Sequence, residues 1–281
     1  MTQAAKPLLA IDGDSLAHRA YHALPKSLRS ATGLPSGALV GFTNFLLRLW
    51  ESERPRAVLV GWDCVGEPTY RLEAFPAYQS GRVFDPEILE QLELLPELVR
   101  ALGFAAAKEP GYEADDFLAA AAAQEEARGG TVVVATSDRD AFQLASERTT
   151  ILQPVKGVSE LARIGPAEVR ERYGIEPAQV PDFIALRGDP SDKLPGARGV
   201  GPKTAASILA QYGSLEAALE AGRFSAEQEE LRLYRRIAQL DASAPLPSLT
   251  DQTPRWAEAS ALVSSWGLGN LAGRLEALAA G

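Results

Sequence analysis

An α/β fold with a mostly parallel sheet is predicted by three features of the sequence. Apolar runs of strand length recur at Leu8–Ile11, Arg56–Trp62 and Thr131–Thr136. Segments of helical period, roughly a dozen residues long, separate them, as in successive βαβ units. The second run is apolar almost throughout, which suits a strand covered on both faces.

Leu8–Ile11 leads into a helix starting near Asp14 and carrying His18, Arg19, Tyr21 and His22. Gly33–Ser36 reads as a loop, and Ala38–Glu51 as a helix with Phe42, Phe45, Leu46 and Leu49 on one face. Residues 69–86, TYRLEAFPAYQSGRVFDP, have no clean period and are expected as a mobile loop or short helices, followed by a helix over Pro86–Leu102. Another helix begins at Glu113 and runs through an alanine block to Glu126. Beyond Gln153 the character changes to helices and turns, with short helices at Pro166–Tyr173 and Gln179–Leu186. Gly188–Asp192 is a turn that brings Asp189 and Asp192 close together. The stretch from Leu194 reads as a helix–hairpin–helix. Gly199 and Gly201 let the turn approach closely, and the amides opening the next helix, which ends at Tyr212, face an anion. Pro245–Pro254 is linker-like and precedes a last helix pair containing Trp256, Trp266 and Leu275.

At 281 residues the chain can bury a full core, and its 46% hydrophobic content is that of a soluble globular protein. The N-terminus has no charged region followed by an apolar core, and no uncharged run approaches the roughly 20 residues of a membrane span, so a cytoplasmic protein is expected. A single cysteine, Cys64, excludes an internal disulfide and a thiolate metal site, and is expected as a small core residue. The net charge of −9 argues on its face against a polyanionic partner. Nine of the 37 acidic residues, however, fall into five clusters, and the remainder balance the 28 basic residues.

Those nine are Asp12, Asp63, Glu113, Asp115, Asp116, Asp138, Asp140, Asp189 and Asp192, in LLAIDGD, AVLVGWD, GYEADD, VVVATSDRD and RGDPSD. Asp12, Asp63 and Asp138 each follow a strand, so in an open parallel sheet they converge on the carboxyl rim, where such folds bind ligands. Asp138 and Asp140, two apart, face the same side in extended geometry. Acids in a helix's first turn are favoured by its dipole, but Glu113, Asp115 and Asp116 fill three of four positions, more than capping requires. So many like charges need cations, and oxygen donors without a Cys or His cluster select a hard divalent ion, Mg²⁺ or Mn²⁺. A rim with room for two such ions is the kind of site that hydrolyses phosphodiesters. Bound cations would also restore local attraction for phosphate.

IDGDSLAHRAYHAL, VGWD, YRLEAFPAYQSGR, EPGYEADDFLA, TSDRDAFQL, LRGDPSDKLPGARGVGPKTA and LGNLAGRLEAL occur in that order between Leu8 and Leu278. On these motifs the chain resembles the 5′-nuclease superfamily of flap endonucleases, above all the 5′–3′ exonuclease domain that opens bacterial DNA polymerase I. The resemblance implies a PIN-like core over residues 1–160, a helical arch near 68–95, and a helix–hairpin–helix DNA-binding and C-terminal helical region over 161–281. It implies a first metal group at Asp12, Asp63, Glu113 and Asp115, with Asp116 adjacent, and a second at Asp138, Asp140, Asp189 and Asp192. Arg19 matches a residue that touches the scissile phosphate, and Tyr21 one that stacks on the terminal base. Arg71 and Arg82 match basic residues at the foot of the arch. In the hairpin, Arg198, Gly199, Gly201, Lys203 and Thr204 would meet duplex backbone, while carbonyls near Ala197 and Val200 would hold K⁺. A stand-alone monomer of the nucleoid follows, with no polymerase region, cutting DNA at 5′ ends, flaps or nicks in replication or repair.

Two residues depart from the family's pattern. The arch usually carries Tyr-Lys, whereas here the pair is Tyr78-Gln79. A neutral amide cannot offset phosphoryl charge, so cleavage is expected to be slower or to lean on Arg82. Lys193 replaces an asparagine after the Ser-Asp pair and could pair with Asp192. Two rival readings remain: a flap-DNA-binding protein with little nuclease activity, which Gln79 mildly favours, and a PIN-type RNA nuclease, which the duplex-type hairpin disfavours.

Overall fold

The computed structural model describes residues 6–81, 83–156 and 160–280. In chain order, β1 (Leu8–Asp12) is followed by α1 (Gly13–Ala23) and α2 (Gly37–Glu53), and β2 (Ala57–Gly61) by α3 (Tyr70–Ala74) and α4 (Pro86–Ala101). Next come β3 (Ala105–Ala107), α5 (Ala114–Ala127), β4 (Val132–Ala135) and a 3₁₀ turn at Asp140–Leu144. The strands β5 (Thr149–Lys156) and β6 (Glu160–Ile164) precede α6 (Pro166–Tyr173), α7 (Val180–Arg187), α8 (Pro202–Tyr212), α9 (Leu215–Glu220) and α10 (Gln228–Ala238). A hairpin of α11 (Trp256–Ser265) and α12 (Gly269–Ala280) ends the described chain.

The sheet order is β3-β2-β1-β4-β5-β6, parallel except for β6. From β1 the chain builds outward through β2 and β3, then returns to β4 on the other side, so the topological switch lies between β1 and β4. Asp12 ends β1 level with Gly61 of β2, and Asp63 and Asp138 follow β2 and β4 on the same rim. Alternation splits the strands between two cores. Leu9, Ile11, Val58 and Val60 face α1, α2, α4 and the α11–α12 hairpin, while Leu8, Ala10, Leu59 and Val134 face α5 and the C-terminal helices. At Gly61 any Cβ would lie 2.5 Å from the Ala114 carbonyl, so only glycine lets α5 begin against the end of β2.

Sequence-remote side chains finish the helices. Ser36 gives α2 no side-chain cap; instead the wholly buried Gln91 of α4 accepts from the Ala38 and Leu39 amides at 2.7 and 3.3 Å. Its amide nitrogen donates to the Glu87 carbonyl at 2.8 Å. Among the C-terminal helices, the buried Asp182 of α7 accepts from the Leu215 amide of α9 and from Arg235 of α10. The loop after α7 closes on itself: Asp189 and Leu194 exchange two backbone bonds of 2.8 Å, and Gly188 and Gly196 both take left-handed backbone where the strands cross.

Several elements differ from expectation. β3, β5 and β6 were not anticipated, and β6 carries the sheet past residue 160. The span 68–95, expected as the helical arch, is built from short pieces among the described residues. It holds the five-residue α3 and turns, and then α4, whose Ile88, Leu92 and Leu95 are core residues. The linker-like 245–254 segment is tethered, with Gln252 bonded to Arg56 and Val58 by two contacts of 2.8 Å.

Gln91→Ala strips the cap from α2 and leaves buried amides unpaired, which is expected to cost about 2–3 kcal/mol. Urea denaturation checks this; a loss below ~0.5 kcal/mol would show that α2 is capped by other means.

Candidate active site

Seven of the nine expected carboxylates line one cleft of about 780 Å³ at the switch point: Asp12, Asp63, Glu113, Asp115, Asp138, Asp140 and Asp192. Asp189 lies in a shallower adjoining cleft with Asp138, Asp140 and Arg187. Secondary structure fixes each one. Asp12 caps α1, accepting from the Ser15 amide at 2.9 Å and from the Thr136 hydroxyl at 2.7 Å. Asp63 accepts the Ala114 amide of α5 at 2.7 Å, and Asp138 accepts the Asp140 amide at 2.9 Å. Glu113 receives hydroxyls from Thr69 at 3.0 Å and Tyr78 at 2.9 Å, while Gln79 donates its amide to Asp192 at 3.2 Å. The 69–80 segment thus folds down over the acids as a cap touching both groups.

Burial and mutual repulsion dominate the electrostatics. Burial, opposed by the Ser15 amide and reinforced by Asp63, pushes the Asp12 pKa up to about 7. Burial also lifts Glu113 to about 7, against the pull of Arg71. Asp14, Asp115 and Asp140 are raised chiefly by burial as well, with Asp63, Asp116 and Asp138 adding repulsion. Asp189 goes the other way. Burial works against its charge, but the Ser191 hydrogen bonds and the Arg187 guanidinium at 3.0 Å outweigh it and lower the pKa.

Four expectations are corrected. Asp116 is fully buried and grips Arg71 through two bonds of 2.8 and 2.7 Å; its oxygens also accept the Glu113 and Asp241 amides, so it faces away from the cleft. Arg71 is 1% exposed at the floor of the cleft with its guanidinium held by Asp116, so it serves the acids rather than a duplex backbone. Tyr21 is 3% exposed with its hydroxyl on Asp85 at 2.7 Å, so its ring has no free face for a base. Cys64 is half-buried at the cleft and is not a core residue.

Arg19 is half-buried on α1, and Arg82 lies outside the described residues. Lys193 is exposed with φ +61. In the hairpin Arg198, Gly199, Gly201, Lys203 and Thr204 are exposed, whereas Ala197 is buried and its carbonyl accepts the Val200 amide at 3.1 Å.

The cleft also holds residues the sequence reading passed over. Asp14 accepts the Asp63 amide at 2.8 Å and so orders the end of β2; the acid pair around Gly13 was its only signal. His18 and Phe84 line the cleft with rings 5.2 Å apart, and no sequence spacing pairs residues so distant. The donor set suits a hard ion, being all oxygen, and the buried Asp115 Oδ1 has no hydrogen-bond partner. Yet among the described residues no three His, Cys, Asp or Glu side chains are gathered as a ready ion cage.

Residues 7–174 match the N-terminal resolvase-like domain of 5′–3′ exonucleases, and residues 175–260 match their C-terminal SAM fold. The chain belongs to the 5′–3′ exonuclease family. Its enzyme class is accordingly that of a nuclease. It is 48% identical over 219 residues to DNA polymerase I of Mycobacterium tuberculosis, covering 77% of this chain and 24% of that protein. To the thermostable DNA polymerase I of Thermus thermophilus it is 40% identical over 250 residues, 85% of this chain and 29% of the relative. The chain therefore spans about a quarter of the length of these relatives. In fold it is similar to the T5 5′-exonuclease with bound zinc, at TM-score 0.70 and 19% identity over 96% of this chain and 98% of that one. A T5 flap endonuclease in complex with DNA and metal ions gives TM-score 0.69 at 19% identity, covering 98% of this chain and 100% of the other. The catalytic core of Rad2 with DNA substrate gives 0.60 at 14% identity, over 96% and 91%. No helix among the described residues is long and apolar enough to cross a membrane.

A carboxyl whose native pKa exceeds its unfolded one stabilises the fold at low pH and loses that contribution as pH rises. Metal-stripped protein is therefore expected to melt higher at pH 5 than at pH 8, the loss accumulating between the ordinary values of Asp12 and Glu113 and about 7. Thermal melts in chelator check the sign; a melting point that climbs from pH 5 to 8 would overturn it.

Proposed function

We propose that the chain is a divalent-metal-dependent 5′ nuclease that hydrolyses DNA phosphodiesters near 5′ ends and at single-strand/duplex junctions, in replication or repair. The observation that carries this is the convergence of seven carboxylates from five distant segments on one cleft, in a chain of the 5′–3′ exonuclease family. The metal ions and DNA in the T5 complex support it. Asp12, Asp63, Glu113 and Asp115 would hold a first Mg²⁺ or Mn²⁺, and Asp138, Asp140, Asp189 and Asp192 a second. Such ions make water nucleophilic at neutral pH and offset charge on the leaving oxygen.

The chain's own side chains do the rest. The ring faces of His18 and Phe84 are placed to receive an unpaired base, the role expected of Tyr21. Arg19 and Arg82 remain the cations assigned to the scissile phosphate. Gln79 Nε2 donates to the Tyr78 hydroxyl and to Asp192, and it must give up one of these bonds before it can donate to a substrate. The exposed hairpin residues hold duplex backbone without reading bases, and a K⁺ ion at the Ala197–Val200 carbonyls belongs to the same reading.

Labelled flap DNA with and without Mn²⁺ tests the proposal directly: no cleavage with any divalent ion, despite tight binding, would leave a flap-binding protein. Asp138→Ala and Asp140→Ala are each expected to lower cleavage by about 10³-fold or more while flap affinity stays within a few-fold, because affinity resides in backbone contacts elsewhere. Near-normal turnover in either variant at saturating Mg²⁺ removes the second metal group.

Lys203→Ala is expected to weaken binding equally for all sequences and to flatten the salt dependence by about one phosphate contact. Titrations over a range of salt concentrations check this, and an unchanged slope would take the hairpin out of the interface.

A further inference from the structure

The end of α10 and the three residues after it touch both halves of the acidic rim. Ile237 and Ala238 close the helix, so their carbonyls have no intrahelical partner. The Ile237 carbonyl accepts from Arg71 Nε at 3.0 Å, on the side of the first acidic group. The Ala238 carbonyl accepts from Gln143 Nε2 at 3.0 Å, and the same nitrogen donates to the carbonyl of Asp140, in the second group, at 2.9 Å. The chain then extends, and backbone groups of an extended chain alternate sides. The Gln239 carbonyl accepts the Tyr70 hydroxyl at 3.2 Å, the Leu240 amide donates to Gln143 Oε1 at 3.0 Å, and the Asp241 amide donates to Asp116 Oδ1 at 2.8 Å.

We propose that this strap, residues 237–241, together with Gln143, is a positioning device that fixes the spacing of the two acidic groups and couples it to the duplex-binding helices. The parts of the two groups nearest the strap sit on separate elements, α5 and the 3₁₀ turn, and their like charges push them apart. The strap is a cross-tie linked to the first group through Arg71 and Asp116 and to the second through Gln143. Its helix is anchored in turn to α7 and α9, because Arg235 of α10 shares Asp182 with the Leu215 amide. A shift of α10 on binding duplex therefore reaches Asp140 through Gln143 and Asp116 through Asp241. The proposal rests on the nuclease reading for its consequence, rate, but not for its physical content, coupling.

The test compares three variants of the full chain: Gln143→Ala, one glycine inserted between Gln239 and Leu240, and a control glycine inserted after the exposed Pro247. Single-turnover flap cleavage, flap affinity and hydrogen exchange are read for each. The first two are expected to cut about tenfold to a hundredfold more slowly with flap affinity within about threefold, since a displacement near 1 Å suffices for such losses. Amides of 113–118 are expected to exchange faster in Gln143→Ala, although Gln143 bonds to neither Glu113 nor Asp116. The control is expected to be silent. Faster exchange confined to 140–145, or affinity falling in step with rate, overturns the strap. Wild-type protein inert with every divalent ion overturns the nuclease reading instead, and the exchange pattern still decides the coupling.

Discussion

One guanidinium sealed beneath the rim lets the carboxylates stand where they do. Arg71 is 1% exposed, makes two bonds to the fully buried Asp116, and lies 3.4 Å from Glu113 and 3.5 Å from Asp115. Taking both charges out of water costs several kcal/mol per ion, repaid only where geometry is good and the remaining valences are filled. Here they are filled: Asp116 also accepts from the Glu113 and Asp241 amides, and Arg71 Nε donates to the Ile237 carbonyl. The pair ties the cap helix α3 to the acidic turn of α5 and to the end of α10. Removing one partner from such a pair typically costs ~3–5 kcal/mol, because it strands the other charge in the interior. Arg71 is thus a structural cation serving the first acidic group.

That role could not be read from the sequence. Asp115 and Asp116 are adjacent and chemically alike, but one helical step turns a side chain by about 100°, so one enters the cleft while the other points inward. Only the fold reveals that Arg71, 45 residues earlier in the chain, fills the space behind. By contrast Asp12, Asp63 and Asp138 were legible, because parallel strands in register deliver their C-terminal residues to one rim. The paired aspartates after α7 were legible from turn chemistry, and the exposed hairpin from its glycines. Tyr21 and His18 share α1, yet Asp85 just before α4 holds one while the other lines the cleft, which no local pattern encodes. The missed strands have local reasons too. β3 is three alanines, and β5 carries Pro154, which demotes a strand by sequence rules although the chain tolerates it beside a register shift.

The cap shows how a substitution at one position alters what a segment does. Tyr78 is 5% exposed and anchors the cap to Glu113, while Gln79, held in left-handed backbone at φ +47, reaches Asp192 across the cleft. A lysine at 79 would meet Asp192 as an ion pair; the glutamine meets it through a neutral amide donor, which is easier to exchange for another acceptor. In the proposed reading, glutamine at 79 would hold the second group more loosely than the lysine expected there and would remove a charge from the substrate side.

A net charge of −9 and a polyanionic substrate are compatible only if attraction and repulsion occupy different parts of the surface. Asp116 is neutralised from within by Arg71, and burial favours the protonated forms of Asp12 and Glu113 until a cation displaces the protons. The hairpin meanwhile offers Arg198 and, at the start of α8, Lys203 to solvent, on a stretch that carries no carboxylate of the rim. In the proposed reading, duplex is held at the hairpin and charge is compensated at the cleft only when metal arrives. Affinity and chemistry then fall on separate elements, which demands a physical link between them. The end of α10 is linked to one acidic group through Arg71 and to the other through Gln143, and is anchored to α7 through Asp182, and so it meets that demand.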